Sequence, residues 1–133
     1  MFFVPDTNVV LSGLLFPKSK PSRCLQQMIA LGTIAISDAV LEEYWDVLSR
    51  PKFDKYLDQN DRLRLLNNFL KYAQEFTPQE IITDSRDSKD NKFLEVALAA
   101  NATCLVTGDP HLLELHPFRG IPIVNAASFL QQF

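Results

Sequence analysis

The sequence contains few of the residues that build phosphate-binding loops, disulfide frameworks or catalytic dyads. Its 133 residues include four glycines, two cysteines and two histidines. The glycines form none of the loops that bind dinucleotides or nucleoside triphosphates. His111 and His116 lie in or beside one short predicted helix, which disfavours a serine or cysteine nucleophile with a histidine base. Cys24 and Cys104 have neither the number nor the spacing of a disulfide framework or a zinc site, so we expect both to be reduced and buried.

A long apolar run and an excess of basic charge are also missing. No apolar stretch approaches the length of a membrane span, and no basic segment with a long apolar core begins the sequence, so we expect a cytoplasmic protein without a membrane partner. The 13 basic and 16 acidic side chains give a net charge of −3, which argues against a broad nucleic-acid-binding face. A local nucleic-acid-binding site is still compatible with this charge, because carboxylates that hold divalent cations attract phosphate.

The composition that is present is that of an ordinary globular protein, with 47% hydrophobic and 22% charged residues. The length predicts one domain over residues 1–133 with a single buried core. Short apolar runs alternate with helical patterns, which predicts an α/β fold with a mostly parallel sheet of four to five strands and helices on both faces. A helix is expected from about residue 58 to 74, and 76–83 is ambiguous between a short strand and a loop. Predicted strands begin at Phe2, Thr33, Thr103 and Ile121.

Acidic residues follow two of these predicted strands directly. Asp6 comes after the first apolar run, and Asp109 comes two residues after Thr107 at the end of another. Because the carboxyl ends of parallel strands meet at one edge of the sheet, where ligands bind, we expect these carboxylates to lie close together.

Two more carboxylates are expected at the same edge. A helix that begins near Asp38 carries Glu42 and Glu43 about one turn in. Glu43 shares the inner side of that helix with Val40, three residues earlier, whereas Glu42 turns toward solvent. Asp90 lies in the first turn of another helix, where the dipole favours a carboxylate.

Each acidic residue also has a simpler structural interpretation. Asp6 is a good helix N-cap, and Asp109 precedes a proline at the first helical position, which is typical of a cap. Asp87 with Asp90 three residues later imitates a capping box, and the two glutamates fit a solvated helix face. The arrival of all of them at one edge favours a shared site.

Clustered carboxylates without histidine or cysteine at ligand spacing form an oxygen-rich site suited to Mg²⁺ or Mn²⁺. Such ions generate hydroxide near neutral pH and stabilise the charge on a reacting phosphate. The residues therefore predict metal-assisted phosphodiester hydrolysis.

The sequence resembles the PIN-domain family, within it a branch of toxin components of toxin–antitoxin pairs related to the VapC toxins. The resemblance implies a three-layer α/β/α sandwich and a Mg²⁺- or Mn²⁺-dependent endoribonuclease that cleaves single-stranded RNA. It covers nearly the whole chain. Four blocks carry it: Asp6-Thr7-Asn8-Val9 with Ser12-Gly13-Leu14-Leu15-Phe16-Pro17, Leu41-Glu42-Glu43-Tyr44 with residues 47–53, Arg86-Asp87 with Asp90-Asn91-Lys92-Phe93-Leu94, and Val106-Thr107-Gly108-Asp109.

The resemblance also implies roles for individual residues. Asn8 and Thr107 match positions that orient a carboxylate or a metal-bound water, and Asp87 matches a frequent extra acid. Asn101 stands where this branch often has glycine, at a helix cap. The acidic quartet that binds metal and catalyses falls on Asp6, Glu43, Asp90 and Asp109. Homodimers, and a small antitoxin that reaches into the site, are partners that the resemblance implies.

Two other interpretations compete with the enzyme. A catalytically silent PIN-like domain would bind RNA or a protein partner and keep its acids for helix capping. A phosphoacceptor receiver domain needs adjacent acids after the first strand and a lysine near the last, whereas this chain has Pro5-Asp6 and no lysine after Lys92. The substrate-binding residues stay unknown, because single lysines such as Lys20, Lys52 or Lys89 also fit scattered solubilising charge.

Overall fold

The computed structural model describes all residues, Met1–Phe133. Its strands are β1 (Phe2–Pro5), β2 (Thr33–Ile36), β3 (Ala73–Glu75), β4 (Cys104–Val106) and β5 (Ile123–Val124). Its α-helices are α1 (Thr7–Leu15), α2 (Lys20–Leu31), α3 (Asp38–Leu48), α4 (Gln59–Leu70), α5 (Asn91–Ala100), α6 (Pro110–Leu113) and α7 (Ala126–Gln132). Two 3₁₀ helices span Pro51–Phe53 and Ser88–Asp90. No helix combines the length and the apolar character that crossing a bilayer would require.

The five strands form one parallel sheet in the order β3-β2-β1-β4-β5. In the central strand, Phe3 lies opposite Ile34 of β2 and Cys104 of β4. The chain steps outward from β1 to β3 and then returns across the sheet to β4. Right-handed crossovers therefore place α1 to α4 on one face and α5 on the other. This arrangement confirms the predicted α/β fold with a parallel sheet and helices in flanking layers.

Burial explains why most of the strands are apolar throughout. Residues 3–5, 34–36 and 104–106 are buried, as expected for strands covered on both faces. Phe3 packs edge-on against the rings of Phe129 and Phe133, with both centroid distances 5.6 Å. Cys24 and Cys104 are buried and free, as predicted. Gly13 brings α1 against α2, because a Cβ there would lie 2.5 Å from Leu25 Cδ1.

One edge of the sheet differs from the prediction. The helix expected to reach Gln74 ends at Leu70, and β3 occupies 73–75 rather than 76–83. Backbone pairing defines this strand, since Ile34 N donates to Tyr72 O and Phe76 N donates to Ile36 O. Its half-buried alanine and two exposed polar side chains leave no strand signal in the sequence.

Candidate metal centre

Asp6 lies at the carboxyl edge of the sheet, where β1 ends and α1 begins. Its side chain is buried, with 5% of the residue exposed. One carboxylate oxygen accepts from Val9 N at 2.9 Å and caps α1, and the other accepts from the hydroxyl of Thr107. Thr107 Oγ1 in turn accepts from Asp109 N at 2.9 Å. Thr107 therefore connects the two acidic residues that follow β1 and β4.

Burial is the main influence on the charge of Asp6. It raises the pKa of this carboxyl, while the hydrogen bonds from Thr107 and Val9 oppose the rise. The neighbouring carboxylates of Asp109 and Glu43 raise the pKa further. Three acids are thus close enough at this edge to influence one another.

A second group of side chains gathers beside Asp6, between α5 and α6. The potential ligand atoms of Asp87, Asp90, Asp109 and His111 lie within 4.8 Å of one another. Asp87 caps its 3₁₀ helix by accepting from Lys89 N at 3.1 Å, and Asp109 caps α6 by accepting from His111 N at 2.9 Å. Asp90 makes no capping hydrogen bond to α5. Its Oδ2 is buried without a hydrogen-bond partner.

The buried oxygen of Asp90 without a hydrogen-bond partner shows whether a cation fits among Asp87, Asp90, Asp109 and His111. Burial raises the pKa of Asp90 to about 8, assisted by the facing carboxylate of Asp109 and by the charges of Asp87 and Asp6. The same contact lowers the pKa of Asp109. Two facing carboxylates need a proton or a cation between them. A divalent cation fits here, because three carboxylates suit Mg²⁺ or Mn²⁺ and one imidazole nitrogen extends the set toward softer transition ions.

Glu43 approaches the edge from α3 with both carboxylate oxygens engaged. One accepts from the hydroxyl of Thr7, and the other accepts from Lys92 Nζ at 2.7 Å. The side chains of Glu43 and Lys92 are 21% and 23% exposed. Tyr44, the next residue, is fully buried and donates from its hydroxyl to Pro5 O at 2.6 Å, which fixes α3 against the end of β1. Glu42 is exposed.

The structure therefore gathers the predicted acids in two adjoining groups. Asp6 lies with Thr107 and near Glu43, whereas Asp90 and Asp109 lie with Asp87. Asn8, one of the supporting residues expected from the resemblance, is exposed and lines a neighbouring groove.

Three contacts of the site were missing from the sequence analysis. Thr7 and Lys92 hold Glu43, and His111 joins the acidic group. The position of His111, two residues after Asp109 in the first turn of a helix, is a signal that could have found it. No comparable signal marks the contact of Lys92 with Glu43, because these residues are 49 positions apart.

An α/β fold with an acidic group at the carboxyl edge of a parallel sheet is the architecture that these observations define. The family model of the PIN domain matches residues 3–111, and the chain belongs to this family. That span includes all four residues of the predicted acidic quartet.

Among curated proteins, the chain is similar to the uncharacterized protein MJ1680 of Methanocaldococcus jannaschii. The two are 32% identical over 114 residues, which make up 84% of this chain and 73% of that protein.

Two solved structures share the fold. One is VapBC2 from Rickettsia felis bound to a DNA fragment from its promoter, with a TM-score of 0.63, 20% identity, and coverage of 94% of this chain and 98% of that one. The other is PAE2754 from Pyrobaculum aerophilum, with a TM-score of 0.66, 17% identity, and coverage of 99% and 88%.

Proposed function

We propose that the protein is a Mg²⁺- or Mn²⁺-dependent endoribonuclease that cleaves single-stranded RNA. The observation that carries the proposal is the buried, unpaired Oδ2 of Asp90 among the side chains of Asp87, Asp109 and His111. Membership of the PIN domain family supports it. The facing carboxylates of Asp90 and Asp109 need a proton or a cation between them, and a divalent ion would take the place of the proton.

The chain's own residues would share the work in the following way. Asp90 and Asp109, with Asp87 and His111 beside them, would hold the ion. Asp6, which Thr107 orients, is close enough to influence the charge of Asp90. A divalent ion held by these residues would activate water near neutral pH and stabilise the charge on the reacting phosphate.

Glu43 completes the proposed catalytic and metal-binding quartet with Asp6, Asp90 and Asp109. Its two oxygens already accept from Thr7 and Lys92. Each oxygen keeps a second lone pair, so Glu43 could bind the metal while Thr7 and Lys92 hold its carboxylate in place. Asn8 is proposed as a supporting residue of the site.

We further propose that the protein is the toxin of a toxin–antitoxin pair and acts in the cytoplasm, where its RNA substrate is found. The shared fold with VapBC2, a complex seen with promoter DNA, supports a small antitoxin protein as a partner. A homodimer is the proposed assembly, and residues 1–133 are proposed to act as one domain.

A specific observation favours a second candidate, a catalytically silent PIN-like domain that binds RNA or a protein. Asp6, Asp87 and Asp109 each accept a hydrogen bond from a backbone N–H at the start of a helix. Capping alone could account for these three residues. It does not account for Asp90, which makes no capping hydrogen bond.

Replacing Asp6 by asparagine separates the two candidates. The amide oxygen still caps α1, whereas the charge that the metal needs is lost. Asp6→Asn should lower cleavage of single-stranded RNA in Mn²⁺ by at least about 100-fold, about 2.7 kcal/mol of barrier. Asp84→Asn, a change of the same type at an exposed position, should cleave like the wild type.

Cleavage is followed on labelled RNA by gel electrophoresis, and circular dichroism checks the fold of each variant. Undiminished cleavage by Asp6→Asn, or by the wild type in excess chelator, would contradict the metal-nuclease proposal. RNA binding without cleavage by the wild type would favour the silent domain.

A further inference from the structure

Two grooves of similar size flank the acidic edge and differ in chemistry. The groove between α3 and α5 has a volume of about 390 Å³ and carries balanced charge, with Glu42, Glu43 and Asp46 beside Arg50, Lys89 and Lys92. The second groove, with a volume of about 380 Å³, lies between the first turns of α1, α2 and α7. We call it the α1–α7 groove, and of its lining residues the proposed site uses only Asn8.

The α1–α7 groove opens directly onto the acidic edge. Asn8 and Val9, which follow Asp6 by two and three residues, line one side of it. Gly108, which immediately precedes Asp109, lines the side toward β4. A strand of RNA whose phosphate lies at the acidic edge would therefore bring a neighbouring nucleoside to the mouth of this groove.

The walls of the α1–α7 groove suit a flat, partly apolar group. Gly108 and Ala127 present little more than backbone and one methyl group, and most of the lining is carbon. Asn125 lies at the rim, where its Oδ1 accepts from Ser128 N at 2.8 Å and caps α7. That bond leaves the side-chain NH₂ of Asn125 free to donate to a ligand. Its two N–H donors can serve the acceptors on a base edge.

A single cation, Lys20, lines the groove. It is exposed and forms none of the ion pairs of the protein. In the groove between α3 and α5, Arg50 pairs with Asp46 and Lys92 pairs with Glu43, and Lys89 is the one cation there without an ion pair. Lys20 is therefore better placed to meet a phosphate than the paired cations on the other side.

We propose that the α1–α7 groove binds one nucleoside of single-stranded RNA. The base lies against Gly108 and Ala127 with its edge toward Asn125, and the next phosphate meets Lys20. The volume suits one nucleoside rather than a longer segment, since it falls in the lower part of the range of small-molecule pockets, about 300–1,000 Å³. This inference rests on the proposed function and deepens it, because the groove would set the preference for the base beside the cleaved bond.

Filling the groove tests this inference without relying on cleavage. A Cβ added at Gly108 meets no atom within 4 Å, so Gly108→Leu should fold and occupy the groove, and Ala127→Leu fills it from α7. Ala30→Leu, on the exposed side of α2, is the matched control. All are made in the Asp6→Asn background. Binding of labelled homopolymeric oligoribonucleotides of A, C, G and U is measured by fluorescence anisotropy in chelator.

We expect the parent to prefer one or two of the four homopolymers. Gly108→Leu and Ala127→Leu should weaken the binding of the preferred homopolymers by at least about fivefold. They should also reduce the differences in affinity among the four homopolymers. Ala30→Leu should bind like the parent. Lys20→Ala should weaken the binding of all four homopolymers to a similar extent. It should also reduce the slope of log affinity against log salt concentration by about one. Lys71→Ala, at an exposed position in the loop after α4, should have neither effect.

Two results overturn the inference: RNA that fails to bind the parent, or groove variants that match Ala30→Leu in both affinity and preference. The proposed function is judged separately, by cleavage with the wild type in Mn²⁺. If the groove variants lose base preference while the wild type cleaves nothing, the groove stands and the nuclease proposal fails. If the wild type cleaves RNA and the groove variants match the control, the nuclease proposal stands and the inference about the groove fails.

Discussion

The Asp6 carboxylate divides its two oxygens between the backbone of α1 and the hydroxyl of Thr107. Capping and membership of an acidic site are therefore compatible at this residue. The cap is predictable from sequence, because Val9 is only three residues away. The contact with Thr107 spans 101 positions and depends on the pairing of β1 with β4, which local patterns do not specify.

The same distinction between local and distant contacts separates Glu43 from Glu42. These neighbours point about 100° apart on α3, and only Glu43 contacts Thr7 and Lys92. We predict that Glu43→Gln lowers turnover by at least about tenfold, roughly 1.4 kcal/mol of barrier, with little change in stability. Glu42→Gln, at an exposed position, should have almost no effect. Both variants are assayed on the same RNA at saturating Mn²⁺.

The reverse order of effects, or two equally small ones, would show that Glu43 serves only to join α1, α3 and α5. A melting curve of each variant distinguishes this outcome from loss of fold. If Glu43→Gln unfolds at a much lower temperature than Glu42→Gln, its role in stability is larger than its partly exposed ion pair suggests.

Among the helices and strands, the predicted positions match the structure best where the element is buried. Strands β1, β2 and β4 lie within one residue of their predicted bounds because both faces are covered and their apolar runs are unbroken. Helix α5 ends at Ala100, and the predicted cap residue Asn101 has a left-handed φ of 49°. Strand β3 was misplaced because a half-exposed edge strand is specified by backbone pairing with β2 rather than by its side chains.

The connection between α3 and α4 illustrates a contact that no periodic pattern predicts. Arg62 is fully buried in α4, although charged side chains are rarely buried without partners. Its Nε donates to Leu48 O at 2.8 Å and its Nη2 to Arg50 O at 3.1 Å. Its Nη1 donates to Asp54 Oδ1 at 2.8 Å and to Leu57 O. One guanidinium thus anchors the chain from the end of α3 to the start of α4.

Replacing Arg62 should therefore destabilise the fold well beyond the loss of one surface charge. We predict that Arg62→Met lowers the free energy of unfolding by roughly 3–5 kcal/mol, because the buried carbonyl of Leu48 and the partly buried carbonyls of Arg50 and Leu57 lose their donor together. Arg64→Met is the matched control, since that arginine is 70% exposed and pairs with Asp61. It should change stability by less than about 1 kcal/mol. Urea unfolding followed by circular dichroism measures both, and equal small losses would mean that water replaces the guanidinium.

For the whole molecule, the distribution of charge matters more than its sum. The net charge is only −3, yet Asp6, Asp87, Asp90 and Asp109 gather at one edge of the sheet. The local patterns predicted that these acids would follow strand ends or begin helices. They did not predict the pairing of carboxylates across α5 and α6, because this depends on how those helices pack. Without a cation, ionisation of Asp6 or Asp90 opposes folding, since the pKa of each carboxyl is raised in the folded protein.

The pH dependence of the metal-free protein follows from these shifts. The pKa of Asp90 rises from 3.8 to about 8, mainly through burial, so the folded state binds more protons than the unfolded state between these values. Stability should therefore fall as pH rises through this window. The raised pKa of Asp6 acts in the same direction. The pKa of Asp109 is lowered, so this residue stabilises the fold at pH values above the ordinary pKa of an aspartate. It therefore does not change how stability varies with pH near neutrality.

We predict that the melting temperature in chelator is lower at pH 8 than at pH 5.5, and that Asp90→Asn raises it at pH 8 by at least about 2 °C. The amide removes the charge that burial and its acidic neighbours disfavour. Asp84→Asn, at an exposed position, should leave the difference between the two pH values unchanged. Added Mn²⁺ should raise the melting temperature of the wild type at pH 8. At a free Mn²⁺ concentration of 100 times the dissociation constant, the free energy of unfolding should rise by about 2.7 kcal/mol. Asp90→Asn should be stabilised less. If Asp90→Asn melts well below the wild type in chelator at pH 8, its carboxylate supports the fold rather than a cation, and the metal-site interpretation of Asp90 is wrong.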